Sequence, residues 1–204
     1  MVAALAAGAA AGLGMGYVLQ RGQLCFYSMF ASALAGRTLL LRGWLLGVAV
    51  ASVGLSALYL TSWSRGLNTG LSFRPVADIV GGLVIGAGMV VASSCVSGMF
   101  YKLGSGMLGA LAGLAGWIAG ELAARHIHLP GPTVLAGGPA ATFAGVLGVP
   151  RLALSVLLLA LVAAALWRWR PAERPAYPWQ WTAPQLGVAL GLVTIAGWVL
   201  AKAG

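Results

Sequence analysis

The chain has few acidic residues and few charges of any kind. Asp78, Glu121 and Glu173 are its three acids in 204 residues, against 12 Lys and Arg, which gives a formal net charge of +9. Three scattered acids exclude the paired carboxylates of a hydrolase and the acidic relay of a proton pump. With 7% charged and 60% hydrophobic residues, the composition also excludes a water-soluble globular domain and predicts an integral membrane protein.

The excess of basic residues would indicate nucleic-acid binding in a soluble protein. In a chain this apolar, basic residues at helix ends serve membrane topology and contact anionic headgroups. We therefore predict a lipid bilayer, and no nucleic acid, as a partner of the chain.

Metal-binding and disulfide patterns are also scarce. Cys25 and Cys95 lie 70 residues apart, which is neither a disulfide framework nor a C-x-x-C motif, and two thiolates alone are an incomplete metal shell. His126 and His128 are interpreted as a solvated pair because other ligands are missing nearby. No catalytic residue, metal or cofactor is predicted.

Long apolar stretches indicate an all-α membrane protein with about six membrane helices. They are Met1–Leu19, Thr38–Leu60, Val76–Ala92, Ser105–Ala124, Leu152–Trp167 and Pro184–Ala201. The first is interpreted as a membrane helix rather than a cleaved signal peptide, since it lacks a basic start. Residues 20–36 and 93–104, each with one cysteine, are too short and polar to span and are predicted to be re-entrant turns.

The 31 glycines suit helices that approach closely in lipid. G-x-x-x-G spacings occur at Gly12/Gly16, Gly82/Gly86, Gly109/Gly113 and Gly116/Gly120. They predict a packed bundle of several membrane spans.

An internal repeat appears when the chain is shifted by 70 residues. About four identities are expected by chance in so biased a composition, yet ten occur. They are Gly12/Gly82, Leu13/Leu83, Gly16/Gly86, Cys25/Cys95, Met29/Met99, Phe30/Phe100, Gly36/Gly106, Leu41/Leu111, Gly43/Gly113 and Ala49/Ala119. We predict one membrane domain over 1–204, with repeat units at about 1–62 and 74–124 and C-terminal helices at about 145–204.

The repeat makes the two cysteine turns the candidate site. Transporters often place the broken helices of two related units near the bilayer midplane, where backbone groups and helix ends hold an ion. The candidate substrate-binding residues are Cys25, Cys95, Arg21, Gly22, Ser94, Ser97 and Gly98. Each cysteine could instead be a small apolar filler.

Arg21 could attract an anion at the mouth of the first turn, or extend to lipid headgroups. Lys102, after the second turn, is a weaker candidate for the same role.

Two acids receive local structural roles. Asp78 opens a helix, where a first-turn acid is favoured by the helix dipole, so it is predicted to cap that helix. Glu121 is predicted to pair with Arg125 one turn later.

The motifs GYVLQRGQLCFYSMF and GAGMVVASSCVSGMFYKLGSG resemble those of the YeeE/YedE family, which includes thiosulfate uptake permeases, and GVLGVPRLALSVLLLALVAAALW resembles the helix that follows the second motif. The resemblance implies a multi-pass permease of the cytoplasmic membrane that carries thiosulfate or a related sulfur anion. It also implies that Cys25 and Cys95 relay the ion by S–H hydrogen bonds.

Full-length family members contain a second half, so the chain resembles their N-terminal half. A homo-oligomer or a partner membrane subunit would supply the rest of the path, or the helices of this chain would enclose a shorter path. Two alternatives stay open: a membrane thiol-based sulfur carrier or redox protein, which requires a reactive and accessible thiol, and a non-transporting subunit of a larger transporter.

Overall fold

The computed structural model describes residues 2–61, 72–127, 132–134, 137, 142–168 and 175–203, and these residues are mostly helical, with no β-strand. The helices are α1 (Val2–Gly22), α2 (Phe26–Leu34), α3 (Leu39–Leu60), α4 (Pro75–Val91), α5 (Val96–Gly104), α6 (Gly109–Ala124), α7 (Phe143–Leu147), α8 (Arg151–Arg168) and α9 (Ala183–Ala203). The all-α prediction is confirmed.

Each of the six predicted spans coincides with one helix, namely α1, α3, α4, α6, α8 or α9. Four stretches in the described part of the chain are long and apolar enough to cross a membrane: Leu39–Leu60, Pro75–Gly104, Arg151–Arg168 and Ala183–Ala201. Gly109–Ala124 is a shorter apolar helix. The 21 residues of α1 extend about 31 Å, close to the thickness of a bilayer core. The protein is therefore a multi-pass membrane protein.

The two predicted turns contain more helix than expected from their polarity. Each consists of a short non-helical break followed by a helix of nine residues, α2 or α5, and the cysteine is the N-cap of that helix. Between α6 and α8, the described residues include the five-residue helix α7.

The 70-residue shift that relates the two halves in sequence also relates their backbone geometry. Gln23 (φ 52°) and Ser93 (φ 47°) are the described non-glycine residues with positive φ, and they are 70 residues apart. Gly36 (φ 80°) and Gly106 (φ 86°), after α2 and α5, are related in the same way. Both segments therefore share one conformation, in which a long helix, a cysteine break, a short helix and a glycine turn lead to a further helix.

The chain divides into two compact units. Unit 1 comprises Met1–Ser64 and Leu152–Gly204, and unit 2 comprises Arg65–Arg151. In unit 1, α9 packs along α3 and α1. Its core consists of Val18, Leu24, Met29, Leu39, Leu40 and Leu186. The C-terminal helix α9 therefore completes the core around the first cysteine turn.

Close helix packing in unit 1 uses glycines other than the predicted ones. On α3, a Cβ at Gly47 would lie 2.8 Å from Leu190, and a Cβ at Gly43 would lie 2.9 Å from Leu186. On α9, Gly187 and Gly191 face Leu46 and Val50 in the same way. Both pairs have G-x-x-x-G spacing, so the motif predicted the kind of contact but not its position.

Among the glycines of the predicted pairs, only at Gly113 would an added Cβ lie within 4 Å of another described group, the thioether of Met99. At the other seven, a Cβ would meet no described neighbour within 4 Å, and their role in close packing stays a prediction. G-x-x-x-G spacing recurs by composition in a glycine-rich chain, and it does not specify which helix face meets a partner.

In unit 2, α5 packs against α6, with Phe100 and Trp117 in an edge-to-face contact at 6.4 Å between ring centres. The capping role of Asp78 is confirmed, because its Oδ2 accepts a hydrogen bond at 3.1 Å from the N–H of Arg74, the N-cap of α4. The predicted Glu121–Arg125 ion pair is wrong, since these two described side chains form no bond. Arg125 caps the end of α6, and exposed pairs gain too little to hold two long side chains in place.

Candidate functional site

The first cysteine turn begins where α1 stops. Leu24 N–H bonds to the carbonyl of Leu19 at 3.1 Å, and Gln23 takes a left-handed backbone conformation. The Gln23 side chain donates to the carbonyl of Gln20 at 2.9 Å, which offsets part of the strain of that conformation. The chain then extends at Cys25 (φ −134°, ψ 134°), and α2 starts with Met29 N–H bonded to the Cys25 carbonyl at 2.8 Å.

Cys25 has no solvent-exposed surface in unit 1. It lies at the N-terminus of α2, where backbone N–H groups carry a partial positive charge. Gly22, three residues earlier, packs tightly on Leu186, and a side chain at this position would collide with it. Gly22 therefore serves the packing of α9 against the turn.

Arg21 lies at the end of α1, where several groups fix its side chain. Its Nη1 donates to the carbonyl of Trp179 at 3.0 Å, and its guanidinium carbon lies 5.8 Å from the ring centre of Tyr17 and 6.0 Å from that of Trp181. The Arg21 carbonyl accepts from Trp181 N–H at 3.1 Å, and the Gly22 carbonyl accepts from Gln180 Nε2 at 3.2 Å. The segment 179–181 thus caps the end of α1 beside the cysteine.

The second cysteine turn has the same backbone but different side chains. Ser94 N–H bonds to the Met89 carbonyl at 3.1 Å, Ser93 is left-handed, and Cys95 is extended (φ −94°, ψ 171°). Ser94 is buried, and its hydroxyl donates to the Cys95 carbonyl at 3.3 Å.

The thiol of Cys95 is hydrogen-bonded within its own turn. Its Sγ accepts a hydrogen bond from Gly98 N–H at 3.3 Å. The same sulfur lies 3.1 Å from the Ser97 hydroxyl, and in that pair either the thiol or the hydroxyl could be the donor. Cys95 is 3% exposed. The structure thus brings the predicted residues Ser94, Ser97 and Gly98 together around Cys95. In the first turn Tyr27 and Ser28 occupy the positions equivalent to Ser97 and Gly98.

Lys102 closes the second turn by donating from Nζ to the carbonyl of Ser93 at 3.1 Å. Each cysteine turn therefore has one cation bonded to a backbone carbonyl, Arg21 in the first and Lys102 in the second. Neither cysteine forms a disulfide.

The described residues contain no cluster of three or more potential metal ligands. His126 belongs to the described part, whereas His128 lies outside it, so the predicted solvated pair stays a prediction.

Sequence reasoning missed the partners of Arg21. These partners are Tyr17, Trp179 and Trp181. The one signal for the contact is Tyr17, four residues before Arg21 and thus on the same face of α1.

A family model described as Sulphur transport matches residues 21–204, which include both cysteine turns. The chain belongs to the Sulphur transport family. The resemblance to YeeE/YedE proteins is thereby confirmed.

Several curated relatives of this family have matching segments. The thiosulfate transporter TsuA of Spirochaeta thermophila is 36% identical over 95 residues, which cover 45% of this chain and 28% of that protein. TsuA of Escherichia coli is 27% identical over 135 residues, 64% of this chain and 37% of that protein. The probable transporter YedE of Escherichia coli is 29% identical over 98 residues, 48% of this chain and 23% of that protein. The matches thus span well under half the length of these relatives.

Proposed function

We propose that this protein is a membrane permease for a small sulfur oxyanion, with thiosulfate as the first candidate cargo. The relatives with matching segments are named as transporters, two of them for thiosulfate, and none is named as an enzyme. The observation that carries the proposal is the repeated arrangement of a buried cysteine at a helix break, with a short helix beginning at that cysteine.

The chemistry of the two turns suits a sulfur oxyanion. The N-termini of α2 and α5 offer partial positive charge, which replaces part of the hydration shell of an anion. A thiol is a weak donor and a polarizable group, so it can hold a terminal sulfur lightly enough for the ion to move on. Passage of this kind requires no covalent step.

The side chains around Cys95 support its role as a relay residue. Ser97 lies within hydrogen-bond distance of the thiol and Gly98 donates its N–H to the same sulfur. Ser97 can donate or accept a hydrogen bond as the Cys95 thiol turns toward the cargo, because a hydroxyl group does both. Arg21, for its part, raises the local concentration of anions at the first turn.

The proposal is tested in cells that cannot take up thiosulfate. We expect the wild-type chain to restore growth on thiosulfate and Cys95→Ala to lose most of that growth, because alanine leaves no sulfur to contact the cargo. Ser105→Ala is the matched control, since Ser105 is an exposed residue of unit 2 whose hydroxyl bonds only to the Tyr101 carbonyl among described groups. If Cys95→Ala grows as well as wild type at equal protein level, Cys95 does not relay the ion. If the wild-type chain does not restore growth, thiosulfate is not the cargo.

The covalent sulfur carrier is separated from the permease by mass spectrometry. A carrier requires an exposed, reactive thiolate, and the burial of both cysteines in their units does not favour it. After incubation of the purified protein with thiosulfate, the permease predicts unmodified thiols. A persulfide on Cys25 or Cys95 would favour the carrier.

A further inference from the structure

The guanidinium of Arg21 lies beside two aromatic rings that also contact each other. Tyr17 and Trp181 lie 5.8 and 6.0 Å from its central carbon, and their own rings meet edge to face at 5.6 Å. We call Tyr17 and Trp181 the aromatic clamp. Aromatic faces attract a cation through their quadrupole but do not cancel its charge, as a carboxylate would.

The charge of Arg21 has no acidic partner in the described part of unit 1. Asp78 and Glu121 belong to unit 2, Glu173 lies outside the described residues, and the described residues of unit 1 include no Asp or Glu. The Nε of Arg21 is buried with no described hydrogen-bond partner, and its bond to Trp179 uses one of five N–H donors. A donor without an acceptor is unfavourable in a buried environment, so an anion that supplies oxygen atoms to the guanidinium gains by binding here.

Trp181 also fixes the backbone from which Arg21 projects. Its own N–H donates to the Arg21 carbonyl at 3.1 Å, and the neighbouring Gln180 donates to the Gly22 carbonyl at 3.2 Å. Arg21 lies four residues before Cys25, at the end of α1. Trp181 thus sets both the orientation of the Arg21 guanidinium and the end of α1, the helix that leads to Cys25.

We propose that Tyr17 and Trp181 are positioning residues that orient Arg21 to recruit an oxyanion to the first cysteine turn. The inference rests on the proposed function and adds to it the residues that set its affinity for the cargo. A charged fork that is already oriented loses little conformational entropy on binding an anion, which lowers the concentration at which the site fills. Lysine cannot replace it, because an ammonium lacks the planar fork.

The test is uptake of radiolabelled thiosulfate as a function of its concentration, normalised to folded protein. Trp181→Leu and Tyr17→Leu are each expected to raise the KM about two- to fivefold and to leave the maximal rate within about twofold, since they loosen the guanidinium without touching the cysteines. Trp181→Phe and Tyr17→Phe keep a ring over the guanidinium and are expected to restore a KM near that of wild type. Trp198→Leu is the control, because Trp198 is a surface tryptophan of α9 with no described contact to the clamp.

A wild-type KM in both leucine variants, with only the maximal rate or the amount of folded protein reduced, would overturn the inference. That result leaves the proposed function in place if Cys95→Ala still loses uptake. If wild type takes up no thiosulfate, the proposed function fails, and calorimetric titration of purified protein with thiosulfate decides on the clamp. Weaker thiosulfate binding by Trp181→Leu than by wild type then supports the positioning role of the clamp. Equal binding by the two proteins, or no binding by wild type, overturns it.

Discussion

At the residue scale, four backbone positions outside the usual φ range shape the two turns. Gln23 and Ser93 lie in the helix break two residues before each cysteine, and Gly36 and Gly106 follow the short helix. A non-glycine residue in a left-handed conformation costs free energy, and such strain persists where surrounding contacts hold it. Gln23 bonds to Gln20, and Lys102 bonds to Ser93, which are the contacts that hold these two residues.

Gly106→Ala is expected to destabilise the protein by about 1–2 kcal/mol, because a Cβ is disfavoured in the left-handed region. Gly106 has φ 86° and open space around it, so the effect isolates the backbone term. Gly104→Ala is the control, since Gly104 also has open space but ends α5 without a positive φ. Thermal unfolding in detergent measures both, and equal stability of the two variants would contradict the argument.

At the scale of elements, α9 is the helix on which the first cysteine turn depends. Leu186 of α9 is fully buried and contacts the positions of both Gly22 and Gly43. Glycines on both α3 and α9 let the two backbones approach, and in lipid such close van der Waals packing is a main source of helix association. The predicted spans located these helices well, because length and apolarity suffice for that. The predicted glycine pairs did not locate their contacts, because Gly12 and Gly187 have the same spacing pattern and differ only in what faces them.

Gly187→Ala is expected to destabilise unit 1 by about 1–3 kcal/mol through overpacking. A Cβ at this position would lie 2.8 Å from the carbonyl oxygen of Gly43, which is backbone and cannot move aside cheaply. Gly86→Ala is the matched change on α4. A Cβ at this position would meet no described neighbour within 4 Å, so the stability of the variant should equal or slightly exceed that of wild type. Denaturant unfolding in mixed micelles compares them, and a neutral Gly187→Ala would show that α9 is not packed as described.

At the scale of the whole molecule, unit 1 joins the two ends of the chain and unit 2 lies between them in sequence. The sequence predicted one domain with the C-terminal helices as a separate segment, and the single-domain boundary stays a prediction. The matched segments cover 23 to 37% of the curated relatives, so a complete path through one copy of this chain is also a proposal.

We expect the protein to purify as a homo-oligomer, because most oligomers are closed, symmetric assemblies of identical chains. Native mass spectrometry from detergent would then give a multiple of 20.7 kDa. A second polypeptide in the complex would favour the partner-subunit alternative. A monomer that retains thiosulfate uptake in vesicles at low protein density would contradict both.

The sequence by itself determined the membrane class, the helices and the candidate cysteines, because apolar length, charge scarcity and a repeat are properties of the chain as written. It also placed Ser97 and Gly98 with Cys95, since residues two and three positions apart at a helix start are neighbours in space. Only the tertiary structure decided that Trp179 and Trp181 hold Arg21, and that Gly187 rather than Gly12 meets another helix. Those contacts join residues about 140 to 160 positions apart, and no local pattern states which distant faces come together.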